Sequence, residues 1–222
     1  MKTSSWLSKS IKTMAALALA AAAFACVDTA KAVVFDYSST VNSFIVFPGD
    51  TTFNMSPSTN NFMVTSGTAA GLLGDSNGTF TIGTITINGN TESAPVTGTG
   101  SFVIHDGSFN LTATLTWVDI TQVGTGGNLN ISGQANLSNI TYGGTNADLV
   151  ALRNAGSGGD VLSFQFIPAV PLTQLRNGPG PNQTSFSGTV ASIPDGGSAV
   201  ALLGIALAGI EGVRRMFRAR KS

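Results

Sequence analysis

Two of the most reactive side chains are almost missing from this chain. Cysteine occurs once, as Cys26 in an apolar N-terminal stretch, and histidine occurs once, as His105. If that stretch is removed, disulfides and thiol chemistry are excluded, and activation of a nucleophile would depend on a single imidazole. Ser101 and Ser108 lie near His105, but neighbours along a strand face opposite sides of a sheet and do not build a triad. His105 is therefore interpreted as a residue at a strand end, and we expect no catalytic residue.

Clusters of metal-binding residues are missing as well. A zinc site needs three or four ligands, and no such group is found along the sequence. Asp75-Ser76-Asn77-Gly78-Thr79 alternates oxygen-bearing side chains, but it lacks the further acids of a calcium loop and is interpreted as a turn. We therefore expect no metal and no cofactor.

Charge is scarce and unevenly distributed. Only 10% of the residues are charged, and lysine is absent between Lys31 and Lys221. From Val33 to Ile193, two arginines against eight acidic residues give a formal charge of −6. Such a surface repels phosphate backbones, which argues against nucleic acid as a partner. The other basic residues are concentrated at the two chain ends and need a separate explanation.

The N-terminus has the three parts of a secretory signal peptide. A basic stretch over residues 1–13 precedes an apolar run over residues 14–27, and Ala30-Lys31-Ala32 has the small-x-small pattern of a cleavage site. The apolar run falls short of the roughly 20 residues that span a bilayer, so a permanent anchor is the weaker interpretation. A lipoprotein site at Cys26 also fits poorly, because no Leu lies three residues upstream. We predict that signal peptidase cleaves after Ala32.

The C-terminus combines a polar motif, an apolar helix and a basic tail. The helix is predicted over residues 199–210, and Glu211 after it is costly in hydrocarbon unless it lies at the interface or pairs with a nearby arginine. Positive charge stays on the cytoplasmic side, so we predict a transmembrane helix with the body outside and the C-terminus in the cytoplasm. The motif residues are Pro194, Asp195, Gly196, Gly197 and Ser198, and the basic tail residues are Arg214, Arg215, Arg218, Arg220 and Lys221.

This order of motif, short helix and arginine-rich tail resembles the VPDSG-CTERM sorting signal, a relative of the PEP-CTERM signals that bacterial exosortases are thought to process. Ile193 replaces the usual Val, and Gly197 departs from the order of the name motif. The resemblance implies a Gram-negative-type envelope, an exosortase-like enzyme as partner and association with exopolysaccharide, and it implies no activity for the body. An ordinary tail anchor after a Pro-Gly linker is the alternative.

Alternation of apolar and polar residues with a period of two recurs through the body and predicts β-strands. Two stretches, 109–117 and 129–137, alternate most regularly and are predicted to pair as an antiparallel hairpin with its turn over residues 124–128. The predicted apolar faces consist of Phe109, Leu111, Ala113, Leu115 and Trp117 in the first stretch and Leu129, Ile131, Gly133, Ala135 and Leu137 in the second.

Turn signals divide the rest of the body. The apolar parity changes across Gly83, which predicts a β-bulge, and Asn88-Gly89 predicts a tight turn. Residues 148–154 predict a short helix or a turn, and residues 168–181 form a Pro/Gly-rich connection. The residues whose parity changes are Phe80 and Ile82 before Gly83 and Ile85 and Ile87 after it. Further strands are predicted over residues 43–47, 62–66, 96–104, 161–167 and 185–190.

The whole pattern predicts an all-β body between two targeting helices. Roughly eight to ten short strands favour a two-layer antiparallel β-sandwich or a jelly roll. The chain then divides into a signal peptide (1–32), an extracytoplasmic body (33–192) and a C-terminal sorting signal (193–222). Trp117 follows the apolar parity of its strand, whereas Tyr37 and Tyr142 are expected to be exposed and could serve as platforms for sugar rings.

Carboxylates could support glycoside hydrolysis if two of them met in a groove. The sequence gives no reason to pair any two of the available acids, and several of them lie in contexts typical of turns. The acids available for pairing are Glu92, Asp106, Asp119 and Asp160, and those interpreted as turn residues are Asp50, Asp75, Asp106 and Asp160.

These observations lead to a non-enzymatic protein of the cell envelope or extracellular matrix. We predict that signal peptidase and an exosortase-like enzyme process it, that its C-terminal helix holds it in the membrane, and that its body is structural or binds extracellular polysaccharide weakly. The alternatives are a secreted carbohydrate-active hydrolase and a calcium- or ligand-binding module displayed on the membrane.

Overall fold

The computed structural model describes residues 32–55, 59–124 and 130–193. The predictions for the signal peptide up to Lys31, the residues of the hairpin turn after Gly124, the sorting motif, the C-terminal helix and the basic tail lie outside those residues. Within the described ranges, no helix is long and apolar enough to cross a membrane.

Strands make up most of the described chain, with two short helices between them. The strands are β1 Val34–Ser39, β2 Ile45–Phe47, β3 Thr52–Met55, β4 Phe62–Val64, β5 Leu73–Asn77, β6 Thr79–Ile82, β7 Thr86–Asn88, β8 Thr91–Thr97, β9 Thr99–Asp106, β10 Phe109–Val123, β11 Asn130–Thr141, β12 Gly158–Phe164, β13 Asn182–Thr184 and β14 Phe186–Ser192. The helices are α1 Ala147–Ala155 and α2 Leu172–Asn177. The prediction of an all-β body is confirmed.

The strand pairings form a closed ring with a branch. Eight strands follow the order β11-β12-β14-β1-β4-β5-β9-β10, and β10 pairs back with β11 to close the ring. The branch continues from β10 through β8, β6, β3 and β2 to β13, while β7 pairs with β8 off this path. Every pairing between the described strands is antiparallel. Some pairs are neighbours in sequence, such as β10 with β11, whereas others join distant parts of the chain, such as β1 with β14.

Strand β10 is the element that joins ring and branch. One of its edges pairs with β11, while its other edge pairs first with β9 and, after Thr116, with β8. The register shifts between Trp117 and Asp119. Trp117 and Ile120 are therefore both buried although they are three positions apart, whereas residues on one face of a regular strand are two or four positions apart. The predicted hairpin of β10 and β11 is confirmed. Phe109, predicted to face the core, is 51% exposed because it begins the strand beside a turn.

Glycines allow two long strands to bend from the ring into the branch. Gly78 separates β5 from β6, and Gly98 separates β8 from β9, at φ values of +154° and +135° that disfavour side chains. A Cβ on Gly78 would lie 2.6 Å from Cζ of Phe80, and one on Gly98 would lie 3.0 Å from Cδ1 of the same ring. The glycines therefore provide both the backbone conformation and the space in which Phe80 is buried.

Aromatic side chains fill the core in two connected groups. In the ring, the centroid of Phe62 lies 4.7 Å from that of Tyr37 and 4.9 Å from that of Phe102. Under the branch, Phe53 lies 4.8 Å from Trp117 in an edge-to-face arrangement. Each such pair contributes about 0.5–1.5 kcal/mol beyond the burial of its area. The two groups share one continuous cluster of buried residues, so ring and branch stabilise each other.

Local predictions agree with the structure where the signal lies within a few residues. The segment at 148–154 is a helix, α1, and the tight turn follows Asn88, which pairs with Thr91 across it. At Gly83 the partners step from Ile82 to Thr86 on one strand but only from Val96 to Ser93 on the other, so the predicted extra residue is present. Ile87, however, is 61% exposed and does not join the core face.

Other predictions of local structure were wrong or incomplete. Asp75 lies within β5 and Asp160 within β12 instead of in turns, whereas the side chain of Asp50 does close a turn by accepting a 2.7 Å hydrogen bond from the Thr52 N–H. The predicted strand at 96–104 is two strands, broken at Gly98. The Pro/Gly-rich connection contains the helix α2. Strands β1, β3, β5 and β13 were not predicted, because their short stretches alternate too weakly to stand out.

Candidate functional site

The two described ends of the body are joined by hydrogen bonds. The Val33 N–H donates to the Ser192 hydroxyl at 2.9 Å, and the Ser192 N–H donates back to the Val33 carbonyl at 2.9 Å. Ile193, the last described residue, donates from its N–H to the Ser157 carbonyl at 3.1 Å. The residue after the predicted cleavage at Ala32 is therefore bonded to Ser192, two residues before the first residue of the sorting motif.

A groove of about 1180 Å³ opens at the other end of the same strands. Its walls are the last residues of β1 and β12, the first residues of β14, the strand β13 and the chain that follows β12. We call it the uncharged groove, since no charged residue lines it. Its residues are Ser38, Ser39, Ile131, Ser163, Phe164, Gln165, Phe166, Ile167, Pro168, Val170, Pro181, Asn182, Gln183, Thr184, Ser185, Phe186 and Ser187.

Three hydrogen bonds fix the walls of the uncharged groove. The Thr184 hydroxyl donates to the Gln165 carbonyl at 2.6 Å, which joins β13 to the chain after β12. The Phe186 N–H donates to the Ser39 hydroxyl at 3.2 Å, which joins β14 to the end of β1. Asn182 donates from Nδ2 to the carbonyl of residue 179 at 3.0 Å. The groove is thus built by contacts between distant parts of the chain, and sequence reasoning missed it entirely.

Asp160 is a carboxyl group enclosed in the core. It is 1% exposed, and the Tyr37 hydroxyl lies 3.0 Å from Oδ1 and 2.9 Å from Oδ2. Burial raises the pKa of Asp160 to about 7, and the hydrogen bond from Tyr37 acts in the opposite direction. Burial, followed by the charge of Asp160, raises the pKa of Tyr37 well above its ordinary value. Tyr37 was expected to be exposed, and that prediction was wrong.

Gly188 makes room for this buried pair. A Cβ at Gly188 would lie 2.3 Å from Cζ and from the hydroxyl oxygen of Tyr37. Gly188 is opposite Tyr37 in the pairing of β1 with β14, and Asp160 lies on the neighbouring strand β12. The sequence shows an acid and a glycine within alternating stretches. It does not show that they meet Tyr37, because the strands that carry them are far from β1 in sequence.

The other acids considered for hydrolysis are separate from Asp160. Glu92 accepts hydrogen bonds from the N–H of Thr173 at 3.0 Å and from its hydroxyl at 3.3 Å, so it caps α2. Asp106 accepts from the Tyr142 hydroxyl, and Tyr142, expected to be exposed, is buried. In the described ranges, no two of the acids Glu92, Asp106, Asp119 and Asp160 share a hydrogen-bond partner.

His105 belongs to a small polar cluster near the end of β9. Its Nε2 lies 2.7 Å from Oδ2 of Asp75, and its Nδ1 lies 3.2 Å from Oδ1 of Asn110. The Asn60 N–H donates to the other oxygen of Asp75 at 2.5 Å. No serine hydroxyl is bonded to His105 among the described residues, and these residues hold no group of three or more His, Cys, Asp or Glu that could bind a metal.

Comparison with known proteins identifies the C-terminus. The family model of the VPDSG-CTERM motif matches residues 192–217, which confirms the resemblance recognised from the residues themselves. The match begins at the last residue of β14 and extends into the arginine-rich tail, so it covers none of the other strands of the body. No curated protein and no solved structure matches the chain. The motif indicates export, association with the cell envelope and an exosortase-type enzyme as partner.

Proposed function

We propose that this chain, which carries the VPDSG-CTERM motif at residues 192–217, is a non-catalytic protein of the cell envelope or extracellular matrix whose body binds extracellular polysaccharide. Signal peptidase removes residues 1–32, and the apolar segment at 199–210 holds the chain in the membrane with the basic tail in the cytoplasm. An exosortase-like enzyme then acts at the motif Pro194–Ser198. The motif match carries this proposal.

The position of the chain ends supports the proposed order of processing. Val33 and Ser192 hold each other through two hydrogen bonds, and the motif starts two residues after Ser192. A body that has folded after signal cleavage therefore keeps its new N-terminus at the base of the motif. The sorting enzyme would meet a folded domain and a motif with almost no spacer between them.

The acids of the body support a non-catalytic role over a hydrolase. Glycoside hydrolysis needs two carboxyl groups about 5–9.5 Å apart across the scissile bond. Asp160 is enclosed with Tyr37, Glu92 caps a helix and Asp106 is bonded to Tyr142. Each of these acids already has a structural partner, and none of the groove residues is acidic.

A calcium-binding module is the less supported alternative. Asp75 is the first acid of the candidate calcium-binding stretch at residues 75–79. One of its carboxylate oxygens is bonded to His105, and the other accepts from the Asn60 N–H. Calcium takes six to eight oxygen ligands, including several carboxylates. The remaining residues of that stretch continue a strand and a kink at Gly78 instead of a ligand loop.

The proposal is tested by the intact mass of the protein recovered from its native host. We expect the wild-type chain to begin at Val33 and to be cleaved or modified near Ser198, whereas a Pro194→Ala, Asp195→Ala variant keeps Arg214 to Ser222. Asp119→Ala, which removes an acid of the body whose carboxylate makes no hydrogen bond to a described residue, is the matched control and should be processed normally. A wild-type chain that keeps an unmodified tail would make the C-terminus an ordinary anchor.

A further inference from the structure

We propose that the uncharged groove is a binding site for a neutral oligosaccharide chain, presented at the pole of the body opposite to its attachment. This inference rests on the proposed function for the class of ligand, and it adds the site, the charge of the sugar and the direction of binding. It does not depend on how the C-terminus is processed.

The groove has the hydrogen-bonding groups that sugar hydroxyls require. Nine of its lining residues are Ser, Thr, Asn or Gln, and the other eight are apolar. Hydroxyl and carboxamide groups both donate and accept, so they match hydroxyl groups that do the same. The carboxamides of Gln165 and Gln183 are exposed and make no hydrogen bond to any described residue, which leaves them available to a ligand.

The absence of charge in the groove selects the ligand. An ionised sugar such as a uronate would lose water on entering the groove without gaining a cation, which costs free energy. The described body also carries two arginines against eight acids over residues 33–193, so its field repels polyanions. Neutral glycans avoid both penalties.

Apolar surface at the mouth of the groove can contact the C–H faces of sugar rings. Ile167 is 90% exposed, and Pro168 and Pro181 are exposed beside it. Phe164 and Phe166 also line the groove but are only 5% and 6% exposed, so they offer little open surface for stacking. We therefore expect weak binding per site, with affinity that grows with the length of the oligosaccharide.

The register of the strands places the groove away from the chain ends. In the pairing of β1 with β14, Val34 is opposite Ala191 and Ser38 is opposite Ser187. The chain enters and leaves at the first of these pairs, and the groove lies at the second. At about 3.3 Å per residue, the four steps along β1 separate them by about 13 Å. The groove thus lies at the end of these strands opposite to the one at which the chain enters and leaves the body.

An extended peptide is a less suitable occupant. Strand β13 is the last strand of the branch, and a sheet edge can accept a further strand. This edge is only three residues long, is preceded by Pro181, which has no N–H, and is tied to the opposite wall by the bond from Thr184 to Gln165. Few backbone groups remain for a peptide to pair with.

The test is a binding titration of the exported protein, purified from its host with both of its natural ends. Neutral hexasaccharides of glucose, mannose and galactose are compared with an acidic hexagalacturonate and an uncharged extended peptide, by ligand-observed NMR and calorimetry. We expect at least one neutral hexasaccharide to bind, the acidic one not to bind, and Gln165→Ala, Gln183→Ala to weaken binding at least tenfold. Gln134→Ala, an exposed carboxamide on β11 outside the groove, is the matched control and should not weaken it.

The outcomes separate this inference from the proposed function. Sugar binding that survives Gln165→Ala, Gln183→Ala overturns the site but keeps the polysaccharide-binding role. Preference for the acidic sugar or the peptide overturns the inference about the ligand. If no sugar binds, both the inferred site and the polysaccharide-binding role are overturned. If intact mass shows that the C-terminus is not processed as proposed, the result of the binding titration is unaffected. Equal melting temperatures for the wild type, the Gln165→Ala, Gln183→Ala variant and the Gln134→Ala control show that the variants are folded. Ser187→Trp, which fills the exposed wall of β14, should abolish the same binding.

Discussion

Asp160 has a more unusual environment than any other acid of the described body. Its carboxyl group is enclosed in the core and faces one hydroxyl, that of Tyr37, and no cation is bonded to it within the described ranges. Removing an acid from water favours its neutral form. The aromatic rings of Phe62, Phe102 and Phe186 around Tyr37 keep that environment apolar.

This burial predicts a stability that falls as the pH rises. Asp has a pKa of about 3.9 in an unfolded chain, against about 7 for Asp160 in the fold. Between about pH 4 and pH 7 the folded chain keeps a proton that the unfolded chain has lost, so the free energy of unfolding decreases by up to a few kcal/mol across this window. Asp160→Asn should remove that decrease and should be more stable than wild type at pH 8.

Thermal melting of both proteins at pH 5, 6, 7 and 8 measures this difference. Tyr37→Phe is the informative control, because it keeps the ring but removes the hydrogen bond that lowers the pKa of Asp160. That variant should retain the pH dependence and extend it to higher pH. Parallel melting curves for wild type and Asp160→Asn at all four pH values would show that Asp160 does not titrate in this range.

Gly133 predicts a second effect at the scale of one residue. A Cβ at this position would lie 2.0 Å from Cζ3 of Trp117, so Gly133→Ala overpacks the core and should lower the free energy of unfolding by about 1–3 kcal/mol. Gly159→Ala is the matched control, since its Cβ would meet only Ile193 Cδ1 at 4.0 Å, and it should change stability by less than about 1 kcal/mol. Urea denaturation measures both. Equal losses in the two variants would contradict the packing argument.

At the scale of elements, α1 depends on its first residues. Oδ1 of Asn146 accepts from the N–H groups of Asp148 and Leu149 at 3.2 and 3.4 Å, and its Nδ2 donates to the Thr68 carbonyl at 2.9 Å. Asn146→Ala should therefore cost about 1 kcal/mol. Asn154→Ala removes an exposed amide from the same helix, whose described bonds are to Arg153, and should cost less than about 0.5 kcal/mol. Equal urea midpoints for Asn146→Ala and Asn154→Ala would contradict the proposed stabilisation of α1 by the Asn146 cap.

The same scale explains what the sequence could predict. The hairpin of β10 and β11, the helix α1 and the extra residue at Gly83 depend on residues that are close in sequence, and alternation or turn chemistry reveals them. The groove and the Asp160–Tyr37 pair depend on residues far apart, such as Ser39 with Phe186. Short strands such as β5 gain their stability from neighbours on both sides, so their own sequences carry little signal.

At the scale of the whole molecule, the distribution of lysine lets the number of primary amines report whether the C-terminal tail has been removed. Lysine is absent between Lys31 and Lys221, so a chain that starts at Val33 and has lost its tail holds one amine, its N-terminus. A chain that keeps Lys221 holds two. Labelling with an amine-reactive ester in denaturant, followed by mass measurement, should therefore give one label on wild type and two on the Pro194→Ala, Asp195→Ala variant. Two labels on both chains would show that the tail is retained.

The position of β14 has a mechanical consequence. This strand lies between β1 and β12, both antiparallel to it, with the uncharged groove at its first residue and the route to the tail at its last. Ladder hydrogen bonds run perpendicular to the strands. If a ligand holds the groove and the C-terminus is anchored, as proposed above, tension between them acts along β14 and loads the bonds on both sides in shear, all at once instead of one after another. A body loaded in this way would transmit the pull from its ligand to its anchor without opening the fold.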